Sequence, residues 1–223
     1  MNSAVNIWVL ISISFAVYFL ISFLYKTLRL NNLQQALPKM KGLSLLNLKH
    51  FIGIVLFGIV FYVACPDLIY LITNLEVPRL NILIPFFVIV LLCTKLSVSS
   101  AGKVPKDEFN VIPCHPSCII IYFSIRLVYL LSYEFFFRGI LFYSFLDSNG
   151  LVVSIFYTTL LYVVIHLFDS KKEIIGAIPF GIVLCLFTYY SNNIWLAFLI
   201  HATLSLTYEI SVFNNLNYKT QKS

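Results

Sequence analysis

Seven stretches of this chain are apolar over lengths close to the roughly 20 residues that a helix needs to cross a bilayer. In order they are approximately Ile7–Tyr25, Phe51–Thr73, Leu80–Lys95, Cys118–Leu146, Leu151–Phe168, Ile174–Tyr190 and Ile194–Phe213. Each break has a composition that explains it: prolines at Pro78, Pro105, Pro113 and Pro116, and the turn-forming string Asp147-Ser148-Asn149-Gly150. Only 11% of the residues are charged and 60% are hydrophobic, against about 25% charged in soluble domains. These figures exclude a water-facing globule, a disordered chain, a disulfide scaffold and a nucleic-acid binder. The expected fold is an all-α, multi-pass transmembrane bundle of about seven spans, with lipid as its first partner.

The formal charge of +6 is read by position, because cytoplasmic loops retain Lys and Arg. Lys26, Arg29, Lys39, Lys41 and Lys49 fill the first long connection, and Lys95, Lys103 and Lys106 the third. Lys171 and Lys172 follow the fifth run, Lys219 and Lys222 lie in the tail, and the intervening connections hold only Arg79 among basic residues. The expectation is a cell-membrane protein with its N-terminus outside and its C-terminus in the cytoplasm. The first run lacks the basic n-region of a secretory signal and meets Lys26 and Arg29 at once, so it reads as a span. Leu28–Leu48 reads as a cytoplasmic loop with a surface-lying helix. Cys65, Cys93, Cys114, Cys118 and Cys185 sit in or beside spans without metal-ligand spacing, and are expected to pack without a structural disulfide.

An ionisable group inside a membrane costs at least a few kcal/mol, so each one is a candidate functional residue with a partner to be found. Glu134 and Arg138 are four apart on one helical face, as the chain's expected carboxylate–guanidinium pair. They read either as a structural ion pair or as an acid oriented by Arg138. His166 lies in the fifth run and His201 in the seventh, with Ser205 one turn further on. Neutral imidazoles beside a carboxylate can activate water or hold a metal. His50 and His115 fall in connections and carry no such signal, and Arg126 is expected to snorkel to water at the inner boundary.

Three strings now matter together: Glu134-Phe135-Phe136-Phe137-Arg138-Gly139, Tyr162-Val163-Val164-Ile165-His166 and His201-Ala202-Thr203-Leu204-Ser205. Their order and spacing resemble the motifs of the CAAX protease and bacteriocin-processing (CPBP, or Abi) intramembrane endopeptidases. Those motifs are a Glu-Glu pair with Arg four after the second Glu, a Phe four before a His, and a His four before an Asn. The resemblance covers about Leu130 to Thr207. It implies a core of four helices around a polar cavity, here 116–213, preceded by N-terminal spans and basic loops over 1–115 and followed by a tail at 214–223.

By the same resemblance, Glu134, His166 and His201 are the catalytic candidates and Tyr133, Arg138 and Ser205 the supporting ones. A Glu and a His would activate the water, and the later His and its partner would stabilise the oxyanion. The substrate would be a peptide or protein presented at the membrane, with no nucleic acid and no cofactor, although two His and a Glu could also hold zinc. Tyr133 stands where the family has its first Glu, Ser205 where it has Asn, and Tyr162 where it has Phe. The chain looks like members with an aromatic residue before a single Glu and a later segment similar to Lys171-Lys172-Glu173.

Neighbouring positions on a helix point about 100° apart, so Glu134 cannot simply replace a Glu at 133. If Arg138 consumes Glu134, His166 is left as general base with Tyr133 donating a hydrogen bond. If the helix is rotated or kinked near Gly139, Glu134 itself serves. At about 1.5 Å per residue the three candidates also lie at different depths, which tilted helices would reconcile. Two other readings use the same residues: an inactive CPBP-fold interaction or immunity protein, favoured by Tyr133 and Ser205, and a small transporter with a proton relay, disfavoured by the lack of an inverted repeat.

Overall fold

The computed structural model describes residues 6–104 and 115–220, with side chains as far as Asn215. Pro105, Lys106, Pro113, Cys114 and Lys222, and the side chain of Lys219, lie outside that range. Every regular element among the described residues is helical. Six helical stretches are long and apolar enough to cross a membrane: Ile7–Thr27, Gly42–Ala64, Leu80–Ala101, Pro116–Ile165, Lys171–Ser191 and Trp195–Asn215.

The fourth stretch has 50 residues, about 75 Å if it were straight and far more than one crossing. It breaks at Gly150, where φ is 73° and ψ is 171°, a conformation reserved almost entirely for glycine. A Cβ at Gly150 would meet nothing within 4 Å, so the requirement is conformational rather than steric. The chain then folds back on itself. Phe145 stacks on Tyr157 with ring centroids 5.3 Å apart, Arg138 lies 4.3 Å from the centre of the Tyr162 ring, and Tyr133 reaches His166. All three pairs are centred near residue 150, as an antiparallel hairpin requires. Counting its two arms separately, the bundle has the seven spans expected from hydropathy.

Contacts at the two ends confirm that the spans alternate in direction. At one end Asn31 donates to Asp169 at 2.5 Å and Gln34 to Tyr208 at 2.6 Å. At the other, Ile194 N–H donates to Leu71 C=O at 3.0 Å, and the Trp195 indole to Ile72 C=O at 2.8 Å. One register differs from expectation: the second span is Gly42–Ala64 rather than Phe51–Thr73. Pro66 starts a short 3-10 turn after Cys65, and Lys49 and His50 therefore belong to a buried helix face instead of a loop. Within the expected loop, Leu33–Ala36 does form a short helix, capped by the Asn32 side chain.

The centre of the bundle is the segment just before the hairpin. Every residue from Ser132 to Phe142 is buried, and a helix buried all round belongs in the interior. Phe135, Phe136 and Phe137 point in successive directions, so neighbours are needed on every side. Phe57 stacks on Phe136 at 4.4 Å, and Gly58 lets the second span close in: a Cβ there would lie 2.6 Å from Ser132 Oγ. Both facing segments, Ile54–Ile59 and Phe135–Leu141, have π-helical rather than α-helical turns, a local rewinding often found at functional sites. The third and seventh spans pack through Leu196, Ala197 and Ile200 and the bond from Ser97 to Leu204 C=O at 2.6 Å. Leu20, Phe87, Leu91, Ile120 and Phe156 are left exposed. Lipid tails are a suitable solvent for such a surface.

Candidate active site

Glu134 ends the α-helical part of the fourth span, and the π-helical turns begin with the next residue. Its side chain has no exposed surface. Oε1 accepts a hydrogen bond from His201 Nδ1 at 2.5 Å, and Oε2 lies 3.4 Å from Arg138 Nε. Arg138 is equally buried, its guanidinium against the face of Tyr162. Its Nη1 and Nη2 have no protein partner among the described residues, nor do the buried hydroxyls of Thr158, Thr159 and Thr188. Buried polar groups of this kind ordinarily find a partner.

His201 uses Nδ1 for Glu134 and keeps Nε2 for another partner. His166 does not join this contact. It terminates the hairpin's second arm, and the following turn brings Asp169 back so that its Oδ2 lies 2.7 Å from His166 Nδ1. Ser170 then caps the next helix by accepting from Glu173 N–H at 3.3 Å, and its hydroxyl donates to Glu173 Oε1 at 2.7 Å. On its other edge His166 Nε2 lies 3.5 Å from the Tyr133 hydroxyl. Two carboxylate–imidazole dyads, Glu134–His201 and Asp169–His166, thus flank Tyr133, whose ring centroid is 5.7 Å from that of His201 and 6.4 Å from that of His166. Tyr133 spans the difference in depth that backbone positions alone would leave between the histidines.

Asp169 and its surroundings are a functional candidate that sequence reasoning missed. Asn31 donates to its Oδ1, and Lys49 Nζ donates to Asn31 Oδ1 at 2.6 Å. A cleft lined by Lys26, Asn31, Gln35, Phe168, Asp169 and Glu173 opens beside it. Burial acts to raise the pKa of Asp169, and the His166 hydrogen bond and charge, the Lys49 charge and the Asn31 amide outweigh it, so that the carboxyl sits below its ordinary value. The available signal was a carboxylate three residues after a histidine at a helix end.

A second polar cluster was also missed. Arg126 does not snorkel to water: its Nε and Nη2 each lie 3.0 Å from Glu209 Oε1, and Tyr122 donates to Glu209 Oε2 at 3.1 Å. His50, expected in a connection, is buried with its ring stacked on Tyr129 and Nε2 3.4 Å from Arg126 Nη1. Glu134–Arg138 is therefore one of two carboxylate–guanidinium pairs among the described residues, and Glu209 inside the seventh apolar run was the sign of the other.

His115 caps the helix from Pro116, with Nδ1 2.7 Å from Ser117 Oγ. Ser205 is half-buried, one turn beyond His201, and makes no side-chain hydrogen bond among the described residues. Cys65, Cys93, Cys118 and Cys185 are free thiols. No group of three or more His, Cys, Asp or Glu side chains is set to hold a metal among the described residues. His201 and Glu134 bond to each other rather than aiming side by side, which does not suit zinc.

The comparison with protein families bears on this same region. Neither a curated protein nor a solved structure matches the chain. Residues 115–207 match the family model described as Type II CAAX prenyl endopeptidase Rce1-like. The matched stretch holds Tyr133, Glu134, Arg138, His166, Asp169, His201 and Ser205, and the bundle around it is that of a multi-pass membrane protein. Over residues 115–207 this chain is similar to the Rce1-like group of CAAX prenyl endopeptidases.

Proposed function

We propose that the protein is an intramembrane peptidase of the cell membrane, its N-terminus outside and C-terminus in the cytoplasm, that hydrolyses a peptide bond in a membrane-presented substrate. The observation that carries this reading is the pair of carboxylate–imidazole dyads around Tyr133 inside the Rce1-like stretch. Glu134 has no exposed surface, one oxygen on His201 and the other beside Arg138, so it acts through His201 rather than touching water itself. His166, with about a quarter of its side chain exposed, is the general base. Its Nε2 takes the proton of a water that attacks the scissile carbonyl, and the proton then passes to the departing amine. The Tyr133 hydroxyl faces the charge that develops on the carbonyl oxygen, beside the His201 ring that Glu134 holds in place.

A second reading rests on a specific feature. Tyr133 occupies the place of the family's first Glu, and a Glu134 closed off from solvent can serve as structure alone. The protein is then an inactive form of the same fold with an interaction or immunity role. Purified protein in liposomes, assayed with a lipid-anchored fluorogenic peptide library, with and without prenylation, separates the two. The peptidase reading expects turnover in the wild type and a loss of roughly 10²–10⁴-fold in His166→Ala, the contribution of a positioned general base. Absence of wild-type turnover on both libraries refutes it in favour of the inactive fold.

A further inference from the structure

A polar chain reaches His166 from the side opposite Tyr133 and ends in the Asp169–His166 dyad. Lys49 donates to the Asn31 side-chain oxygen, the Asn31 amide donates to Asp169 Oδ1, and Asp169 Oδ2 accepts at His166 Nδ1. The members come from the second span, the first connection and the turn between the fifth and sixth spans. Such a chain settles a choice that imidazole otherwise leaves open. A neutral histidine carries its proton on either nitrogen, and the partner of one nitrogen decides the state of the other. A carboxylate at Nδ1 requires the proton there and leaves Nε2 as the basic nitrogen, turned toward Tyr133 and the interior.

We propose that Asp169 is the positioning residue of this site: held by Asn31 and Lys49, it fixes His166 in the Nδ1–H tautomer with Nε2 aimed at the reacting water. The inference rests on the peptidase reading for its chemistry, but the tautomer it assigns exists with or without catalysis. The groups facing His166 are Asp169, Tyr133 and Tyr162, the last with its ring centroid 4.8 Å away, and Lys49 beyond Asn31. Asp169 is the carboxylate in contact, at 2.7 Å from Nδ1, whereas the Tyr133 hydroxyl, 3.5 Å from Nε2, can donate or accept and so adapts to the tautomer that Asp169 sets. Asn31 brings the first connection into the same chain, so the strap between the first two spans takes part in orienting a base more than a hundred residues away.

The test uses the full-length protein in lipid, labelled with ¹⁵N in its histidine rings, and compares wild type with Asp169→Ala and Asp169→Glu. His166 resonances are assigned by their loss in His166→Ala. In the neutral ring of the wild type the proton should sit on Nδ1 and Nε2 should be bare, and Asp169→Ala should shift the population to the Nε2–H form, while Asp169→Glu restores the native pattern at least in part. In the peptide assay, kcat should fall about tenfold or more in Asp169→Ala, part of the roughly 10²–10⁴-fold that a positioned base supplies, with KM little changed. Asp169→Glu should recover part of that loss. A role limited to stability would lower the unfolding midpoint and leave the tautomer alone. A wild-type His166 protonated on Nε2, or a tautomer unchanged in Asp169→Ala, overturns the positioning role even if the enzyme is active. The expected tautomers in a protein without turnover uphold it while the peptidase reading fails.

Discussion

Replacing Glu134 by Gln probes the buried centre most directly. The substitution is nearly isosteric, and its carbonyl oxygen can still accept from His201 Nδ1. What disappears is the negative charge 3.4 Å from Arg138 Nε, in a place where neither side chain has exposed surface. Removing one partner of a buried ion pair costs about 3–5 kcal/mol, because the other charge stays desolvated. The Tyr162 face against the guanidinium survives the change and offsets up to about 2 kcal/mol of cation–π attraction in both proteins equally. It therefore leaves the difference intact. The expected destabilisation is about 3–5 kcal/mol, read from reversible unfolding in mixed micelles by denaturing detergent.

Arg138→Met should cost a similar amount by stranding Glu134. The double substitution should return to within about 2 kcal/mol of wild type, since a buried pair replaced by uncharged groups of similar volume is often neutral. A Glu134→Gln protein within about 1 kcal/mol of wild type, or a double variant as unstable as the two singles together, would refute the reasoning. Either result would show that water at Nη1 and Nη2 already solvates the guanidinium well enough to make the carboxylate unnecessary.

Other expectations follow from single features. Gly150→Ala should destabilise by about 1–3 kcal/mol, the cost of a strained backbone conformation, whereas Gly176→Ala, inside the helix Lys171–Ser191 with open space around it, should stabilise by up to about 1 kcal/mol; unfolding midpoints of the two variants test the pair. Because the Asp169 carboxyl is held below its ordinary value, its contribution to stability is present above the unfolded value of about 3.9 and is lost as pH falls through the lower folded value. Unfolding measured from about pH 5 downward should therefore flatten in Asp169→Asn. For orientation, a membrane-impermeant thiol reagent should reach Lys41→Cys, in a cysteine-free background, only after the inner face is opened. Labelling in intact cells would reverse the assignment.

Hydropathy and turn composition were sufficient for the number of spans, because burial in lipid demands apolar length whatever the neighbours are. The break at Gly150 was visible for a similar reason: Asp-Ser-Asn-Gly is a local signal, and the positive φ it relieves is a local constraint. The Glu134–Arg138 pair could be read from i,i+4 spacing alone, and His166 and His201 from being polar inside apolar runs. None of these cues says which helix faces meet. Whether Glu134 turns to His166 or to His201 depends on the rotation of the fourth span, and that rotation is set by Phe57 stacked on Phe136, by Gly58 against Ser132 and by the π-helical turns after residue 134.

The same limit hid Asp169, whose partners Asn31 and Lys49 are 138 and 120 positions away in sequence, and it hid Glu209 opposite Arg126 on a different span. It also displaced the second span, since a hydropathy window cannot know that Lys49 will be neutralised by a polar chain and His50 sheltered by Tyr129. Lipid solvation acts on each helix separately and is written into composition. Pairing of buried polar groups acts between helices and exists only once they are packed.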